Sequence, residues 1–448
     1  MLTILATLVA LSVLILIHEL GHFFAAKSVG IAAPRFSLGL GPRVWGFKWG
    51  ETDFVVSAIP LGGYVKMAGM EDDAAAEGLE GGDPDEAPVP RERTFDAKPI
   101  WARTWVISAG VIMNLLFAWG ANIALAGGRG IEYVAENRLA PWAELGGPAA
   151  QLDAIPFGAR VVSVGGQPVA NWTEMQDRLA AAPAGPVAIG LESRPPVTLD
   201  LPRAGASRDT VLAGLRYFAE PVLGGLIPDY PAARAGLRPG DRITAIDGEP
   251  VATWTQVVER VRGRPDQPLR LEVERAGRTM PVELTPRGEE ERGETVGKVG
   301  AWEQPSTAFE RVGVAGAFTT GTQATGRMIT LLVTTVRDLV TGQLSPRNLG
   351  GLLTIGEASG ASAERGAWDY LFFLAFLSVN LAILNLLPIP ILDGGHLMFL
   401  LFEAVRGRPL SVEARIRLSH VGLLIVVGLM VWANGNDVVR LVGRLLSP

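Results

Sequence analysis

Apolar residues along the 448-residue chain gather into four long runs, at about residues 2–26, 105–126, 370–387 and 418–432. A helix rises ~1.5 Å per residue, so such runs can cross a hydrocarbon layer ~30 Å thick. Each is read as a membrane span; the last is short but begins a helix that can extend. The first lacks the basic flank of a cleaved signal peptide and is too long for one, so it is read as retained. A further apolar stretch, 312–339, carries Arg327, Arg337 and Asp338 among many threonines and glycines. A charge near mid-span costs about 2.5 kcal/mol or more, which favours an interfacial helix there. Residues 51–67 alternate apolar and polar positions ahead of Gly62-Gly63, the period of a strand.

The long segment between the second and third spans contains an internal repeat. Pro148-Ala149-Ala150, Gly158, Arg160, Gly165-Gly166-Gln167-Pro168-Val169 and Trp172-Thr173 return as Pro231-Ala232-Ala233, Gly240, Arg242, Asp247-Gly248-Glu249-Pro250-Val251 and Trp254-Thr255, at a spacing of about 82 residues. A period that long marks two small domains rather than a solenoid. In the second copy, strand-like runs at 242–246 and 269–274 flank a helix-like run at 254–261, with Asp247-Gly248 as a turn. That copy, with Ala235-Gly236-Leu237-Arg238-Pro239-Gly240-Asp241, resembles a bacterial-type PDZ domain. The first copy, with Leu152-Asp153-Ala154-Ile155 in place of the Ala-Gly-Leu pattern, matches more loosely. The resemblance implies either strand addition by an extended peptide or a pair of domains acting as a size filter. The fold expected is an α-helical polytopic membrane protein of about four transmembrane helices with two inserted PDZ-like α+β domains. Its parts are a membrane portion at 1–128, the two domains at 129–220 and 221–288, a linker with the interfacial helix at 289–367, and a second membrane portion at 368–448.

Composition narrows the partners. Hydrophobic residues make up 48% and charged residues 19%, as spans joined to soluble modules require, and a net charge of -6 argues against nucleic acid. With no cysteine, disulfides, thiolate metal sites and cysteine nucleophiles are excluded. Basic residues concentrate between the first two spans (Lys27 to Arg103) and between the last two (Arg406 to Arg417). The positive-inside rule makes both loops cytoplasmic, leaving the termini and the repeat outside; the acidic run at 71–86 counts for little in that rule.

Only four histidines occur, and two stand in His18-Glu19-Leu20-Gly21-His22 within the first span. Residues i and i+4 share a helix face, so both imidazoles can meet one zinc ion while Glu19 reaches its water. Two histidines and a glutamate in an apolar span are expensive to bury, and such residues are functional by default. Catalytic zinc takes a third protein ligand and keeps one position open. Asp393, in Pro388-Ile389-Pro390-Ile391-Leu392-Asp393-Gly394-Gly395-His396, is the candidate, with His396 as its rival and a helix N-cap as the ordinary alternative.

These motifs, with Gly62-Gly63-Tyr64-Val65-Lys66-Met67 and the repeat, resemble the site-2 protease family over nearly the whole chain. The resemblance implies that Asp393 is the third zinc ligand and Glu19 the catalytic base. It further implies that Asn385, Pro388 and Pro390 form a strand clamping substrate, that Asn114 is another substrate-binding position, and that 51–67 is a membrane-associated β-hairpin. Asn348-Leu349-Gly350-Gly351 is a further local match. The activity implied is intramembrane cleavage of single-span proteins already shortened by another protease, such as anti-sigma factors or remnant signal peptides, in the inner membrane of a bacterium. The competing function is a non-catalytic membrane scaffold whose PDZ-like domains sort partners, which would predict a damaged metal motif.

Overall fold

A computed structural model describes the chain except residues 71–88, 143–145, 228, 292–293, 305, 343–345, 347–348 and 447–448. The acidic run at 71–86 and Asn348 therefore lie outside the described residues. The chain divides into one unit made of Met1–Ile131 with Arg311–Gly443 and another made chiefly of Glu132–Glu310.

The first unit opens with α1 (Leu2–Ser28), whose buried residues Ala6, Ala10, Leu14, His18, His22 and Ala25 recur about every four positions. One stripe thus faces the protein while Ile4, Leu5, Val9 and Phe24 stay exposed, an apolar outer face that suits lipid. After it, β1 (Arg35–Trp49) and β2 (Thr52–Lys66) pair antiparallel, but not as a simple hairpin. Residues 35–38 pair on one side with 53–56 and on the other with 63–66, while 43–49 pair with 52–57. Both strands fold back on themselves at bends where Gly39 (φ 94°) and Gly62 (φ 95°) take left-handed backbone. The hairpin expected at 51–67 is thus only its second strand; its first carries Gly39, Gly41 and Pro42, which interrupt the alternation. At the β1–β2 turn, Lys27 and then Arg93 donate to Glu51 and hold its carboxyl below the usual range. Helix α2 (Ile100–Gly128) follows.

The second unit begins with β3 (Ile131–Val134) and contains two lobes of matching topology. In the first, β4 (Val161–Val164), β5 (Gln167–Pro168), β6 (Gly185–Leu191) and β7 (Arg194–Leu201) form a sheet of order β5-β4-β6-β7 around α3 (Trp172–Ala181), with α4 (Ala206–Gly214) after it. In the second, after β8 (Leu223–Leu226) and the single turn α5 (Pro231–Arg234), β9 (Arg242–Ile246), β10 (Glu249–Pro250), β11 (Leu269–Arg275) and β12 (Arg278–Leu284) have order β10-β9-β11-β12 around α6 (Trp254–Arg262). The sequence repeat explains the match. Gly165-Gly166 and Asp247-Gly248 each turn a hairpin with two successive positive φ angles. Asn171 and Thr253 cap α3 and α6, and Trp172 and Trp254 are buried in the two cores.

The chain then adds β13 (Arg287–Glu291), β14 (Glu294–Lys298), β15 (Ala301–Glu303) and β16 (Thr307–Glu310), with β15 paired to β8 and β16 to β3. Residues 289–310 are therefore part of this unit, not the linker expected at 289–367; their partners lie far back in the chain, which local pattern does not reveal. Tyr217 Oη donates to Glu303 (3.2 Å) across the lobes, and burial followed by that carboxylate raises the phenol well above its usual pKa, so it stays a donor.

The first unit resumes with α7 (Val314–Val340), α8 (Leu352–Arg365), α9 (Ala367–Asn385), α10 (Asp393–Arg406) and α11 (Val412–Leu446). Four helices have the length and apolarity to cross a membrane: α1, α2, α9 and residues 412–442 of α11. The chain is a polytopic membrane protein with β-rich parts. Helix α7, the helix expected to be interfacial, is not among these four. It packs along α2: Trp119 donates to Thr322 (2.9 Å), Asn122 to Thr325 (3.1 Å), and Met328 and Leu332 pack with Ala118 and Ala121. Thr319, Thr322, Thr325, Thr330, Thr334 and Thr335 return their hydroxyls to carbonyls four residues back, so the polar side chains are satisfied within the helix.

Candidate metal centre

His18 and His22 lie one turn apart on the buried stripe of α1, and Asp393 is the first residue of α10. Their ligating atoms converge: Nε2 of the two imidazoles are 3.2 Å apart, Asp393 Oδ2 is 3.4 Å from His18 Nε2, and Oδ1 is 3.6 Å from His22 Nε2. Tetrahedral zinc with ligands at ~2.0–2.2 Å separates neighbouring donors by about 3.3 Å, which this triangle fits. Asp393 Oδ2 is buried without a hydrogen-bond partner, as a carboxylate oxygen reserved for a cation would be. Among the described residues, these three are the group of His, Asp and Glu side chains arranged to hold a metal.

The surrounding chain aims the imidazoles. His22 Nδ1 lies 2.9 Å from the carbonyl of Val106, which only accepts, so that nitrogen carries the proton and Nε2 is left as a lone-pair donor. Asn114 is fully buried beside His18, with its amide 3.2 Å from Nδ1. Turning that amide over sets its otherwise unpartnered Oδ1 against His18 Nδ1–H and frees Nε2 in the same way. The backbone of α2 comes so close that a Cβ on Gly110 would stand 2.4 Å from His22 Nε2 and 2.6 Å from His18 Cε1. Gly110→Ala is therefore expected to displace both rings and lower zinc affinity by more than about 10-fold. Metal content after dialysis against a weak chelator checks this, and wild-type retention would count against it.

An open cavity of about 1610 Å³ reaches the triangle and is lined by Glu19, Asn385, Ile391, Leu392 and His396 as well as the three donors. Asn385 ends α9 with its amide 3.3 Å from His18 Nε2, facing the centre. It is helical, not part of a strand, and the residues after it form turns. Pro388 and Pro390, expected at the substrate, are not among the cavity's lining residues. Pro390 packs on α11, where its carbonyl occupies the space a Cβ on Gly422 would need. Asn114, also expected at substrate, lies behind His18 instead; a polar residue's place in a helix does not tell which neighbour it meets. His396 is outside the donor triangle, its ring edge-on to Phe399. Pattern reading missed Val106, whose contribution is a backbone carbonyl, and Gly110, whose contribution is a missing side chain. It also missed Ile391, a β-branched residue at φ 101°, a conformation costing about 1–3 kcal/mol that sits two residues before Asp393.

Four helices able to cross a membrane, two imidazoles and a carboxylate at zinc spacing, and a glutamate in the same cavity define a class: zinc metalloproteases of the membrane. The chain belongs to Peptidase family M50, the site-2 protease family, whose sequence pattern matches residues 6–429. It is 34% identical over 465 residues to the regulator of sigma-E protease RseP of Escherichia coli (strain K12), covering 97% of this chain and 98% of that protein. RseP of Salmonella typhimurium (strain 14028s / SGSC 2262) is likewise 34% identical, over 460 residues, 97% of this chain and 98% of the relative. A Neisseria meningitidis serogroup A protein, assigned by name as a zinc metalloprotease, is 34% identical over 464 residues, 98% of this chain and all of its own length. The chain is a site-2-type zinc metalloprotease.

Proposed function

We propose that this protease cleaves the transmembrane segments of single-span proteins in a bacterial inner membrane, with zinc held by His18, His22 and Asp393 and Glu19 as the proton carrier. The observation that carries this reading is a donor triangle opening into the same cavity as a strand edge. Residues 63–66 of β2 pair with 35–38 on one side. Residues 63–67 line the cavity, and Gly63 lies against α1, its Cβ position 3.3 Å from Glu19 Cγ.

A membrane helix hides its carbonyls in its own hydrogen bonds, so it must unwind locally before hydrolysis. The edge at 63–66 offers backbone partners to the unwound stretch and lays it beside the donors. Bound zinc would acidify a water toward neutrality and polarise the scissile carbonyl. Glu19 takes the proton from the attacking water and returns it to the departing amine, so the peptide bond breaks without a free strong acid or base. Asn385, facing the centre at the end of α9, donates its amide to the oxygen on which negative charge develops. Purified enzyme should cut a single-span substrate in proteoliposomes, and cleavage confined to soluble loops would sink the intramembrane reading.

The basic loops support an orientation with the termini and the 132–310 unit outside, in the periplasm. Because the chain has no cysteine, single cysteines placed at Gly50 and Gly205 can be probed with an impermeant reagent added outside; Gly205 should be labelled and Gly50 protected, and the opposite pattern would reverse this topology. We read the two lobes as PDZ-like domains that exclude bulky substrates, leaving cleavage to those already shortened by another protease, such as anti-sigma factors. Trp172, Gln176 and Tyr217 of one lobe and Trp254, Thr255 and Glu303 of the other share a cleft of about 250 Å³. Since β3 and β16 are paired neighbours, a short linker can replace residues 132–310. The deletion variant should keep its zinc and cut substrates with an intact outer domain, and continued rejection of them would rule out a filter.

A further inference from the structure

We propose that Arg103 and Glu403 are a positioning pair, holding α10 against α2 so that the Asp393 carboxylate meets the two imidazoles. This rests on the reading of His18, His22 and Asp393 as the zinc ligands. The buried Oδ2 of Asp393 accepts no hydrogen bond from protein, so the carboxylate's place depends on where α10 itself is fixed. Apolar contact brings the helices together, with Leu400 of α10 in one cluster with Val106 and Ile107 of α2. Such contact is non-directional and permits sliding. One turn beyond Leu400, Glu403 receives both arms of the Arg103 guanidinium, at 3.1 and 2.5 Å. The side chains are only 14% and 12% exposed, where a bidentate pair tolerates little displacement. Arg103 stands one turn before Val106, the residue whose carbonyl fixes His22. The pair therefore ties the helix that starts with the carboxylate to the helix that orients an imidazole.

The test uses full-length protein in detergent, with zinc affinity measured by competition against a chelator and cobalt(II) absorption as a second readout of ligand geometry. Glu403→Gln is expected to weaken zinc by about 10-fold, the low end of what misplacing a ligand's support costs, because α10 is then free to carry the Asp393 carboxylate away from the imidazoles. The charge reversal Arg103→Glu with Glu403→Arg should restore most of that affinity. A pair that only stabilised the fold would lower the unfolding temperature and leave affinity and the cobalt spectrum untouched; that result overturns the proposal. So does a reversal that binds no better than Glu403→Gln. Should Glu403→Gln not fold, Glu403→Asp, which keeps the charge on a shorter arm, should still bind zinc measurably less tightly, and wild-type affinity there is equally fatal. Wild-type protein that bound no zinc would instead overturn the ligand assignment, and this pair's role with it.

Discussion

Glu19→Gln is expected to keep its zinc and to cleave about 10³-fold more slowly, the size of effect a positioned general base supplies. The amide has nearly the shape of the carboxylate, so α1 and the imidazoles one residue before and three after it are undisturbed. What disappears is the capacity to accept a proton from the attacking water, and the carboxylate of Asp393 is committed to the donor set among the described residues. Zinc content and single-turnover cleavage of a transmembrane substrate should be measured on one preparation. Appreciable turnover with full zinc would remove Glu19 from the mechanism; loss of zinc would instead make it a support of the metal.

The second large effect separates two neighbours on α10. Asp393→Ala removes the carboxylate whose Oδ2 and Oδ1 lie 3.4 and 3.6 Å from the two imidazole Nε2 atoms, themselves 3.2 Å apart, and leaves two imidazoles to hold the ion. Outer-sphere supports alone are worth 10- to 100-fold in affinity, so a ligand should cost more than about 100-fold, and activity should fall with occupancy. His396→Ala removes a side chain that lines the cavity but stands outside the triangle, and should leave zinc bound. Metal analysis of both variants decides the matter, and the opposite pattern would transfer the ligand role to His396.

Much of this was legible in the chain because it depends on near neighbours. Helix spacing puts His18 and His22 on one face whatever surrounds them, and apolar length marks α1, α2, α9 and α11 as helices able to cross a membrane. The two lobes announce themselves because both copies carry the same turn, cap and buried tryptophan. The pattern fell short where an element's partner does not share its alternation. The segment at 51–67 alternates like a strand, but its partner at 35–49 carries Gly39, Gly41 and Pro42, which hide the alternation and let the strand bend.

The remainder belonged to the tertiary structure. Only folding brings Asp393 to His18 and His22, sets the Val106 carbonyl on His22, and presses Gly110 against both rings, since backbone groups and missing side chains leave no sign in residue chemistry. The same holds for Asn114, which could have faced substrate or ligand, and for β15 and β16, which find partners far back in the chain. Periodicity and residue type report what a residue needs from its immediate surroundings. Which distant segment meets that need is decided by packing, and the donor triangle, its supports and the strand edge beside Glu19 all depend on that choice.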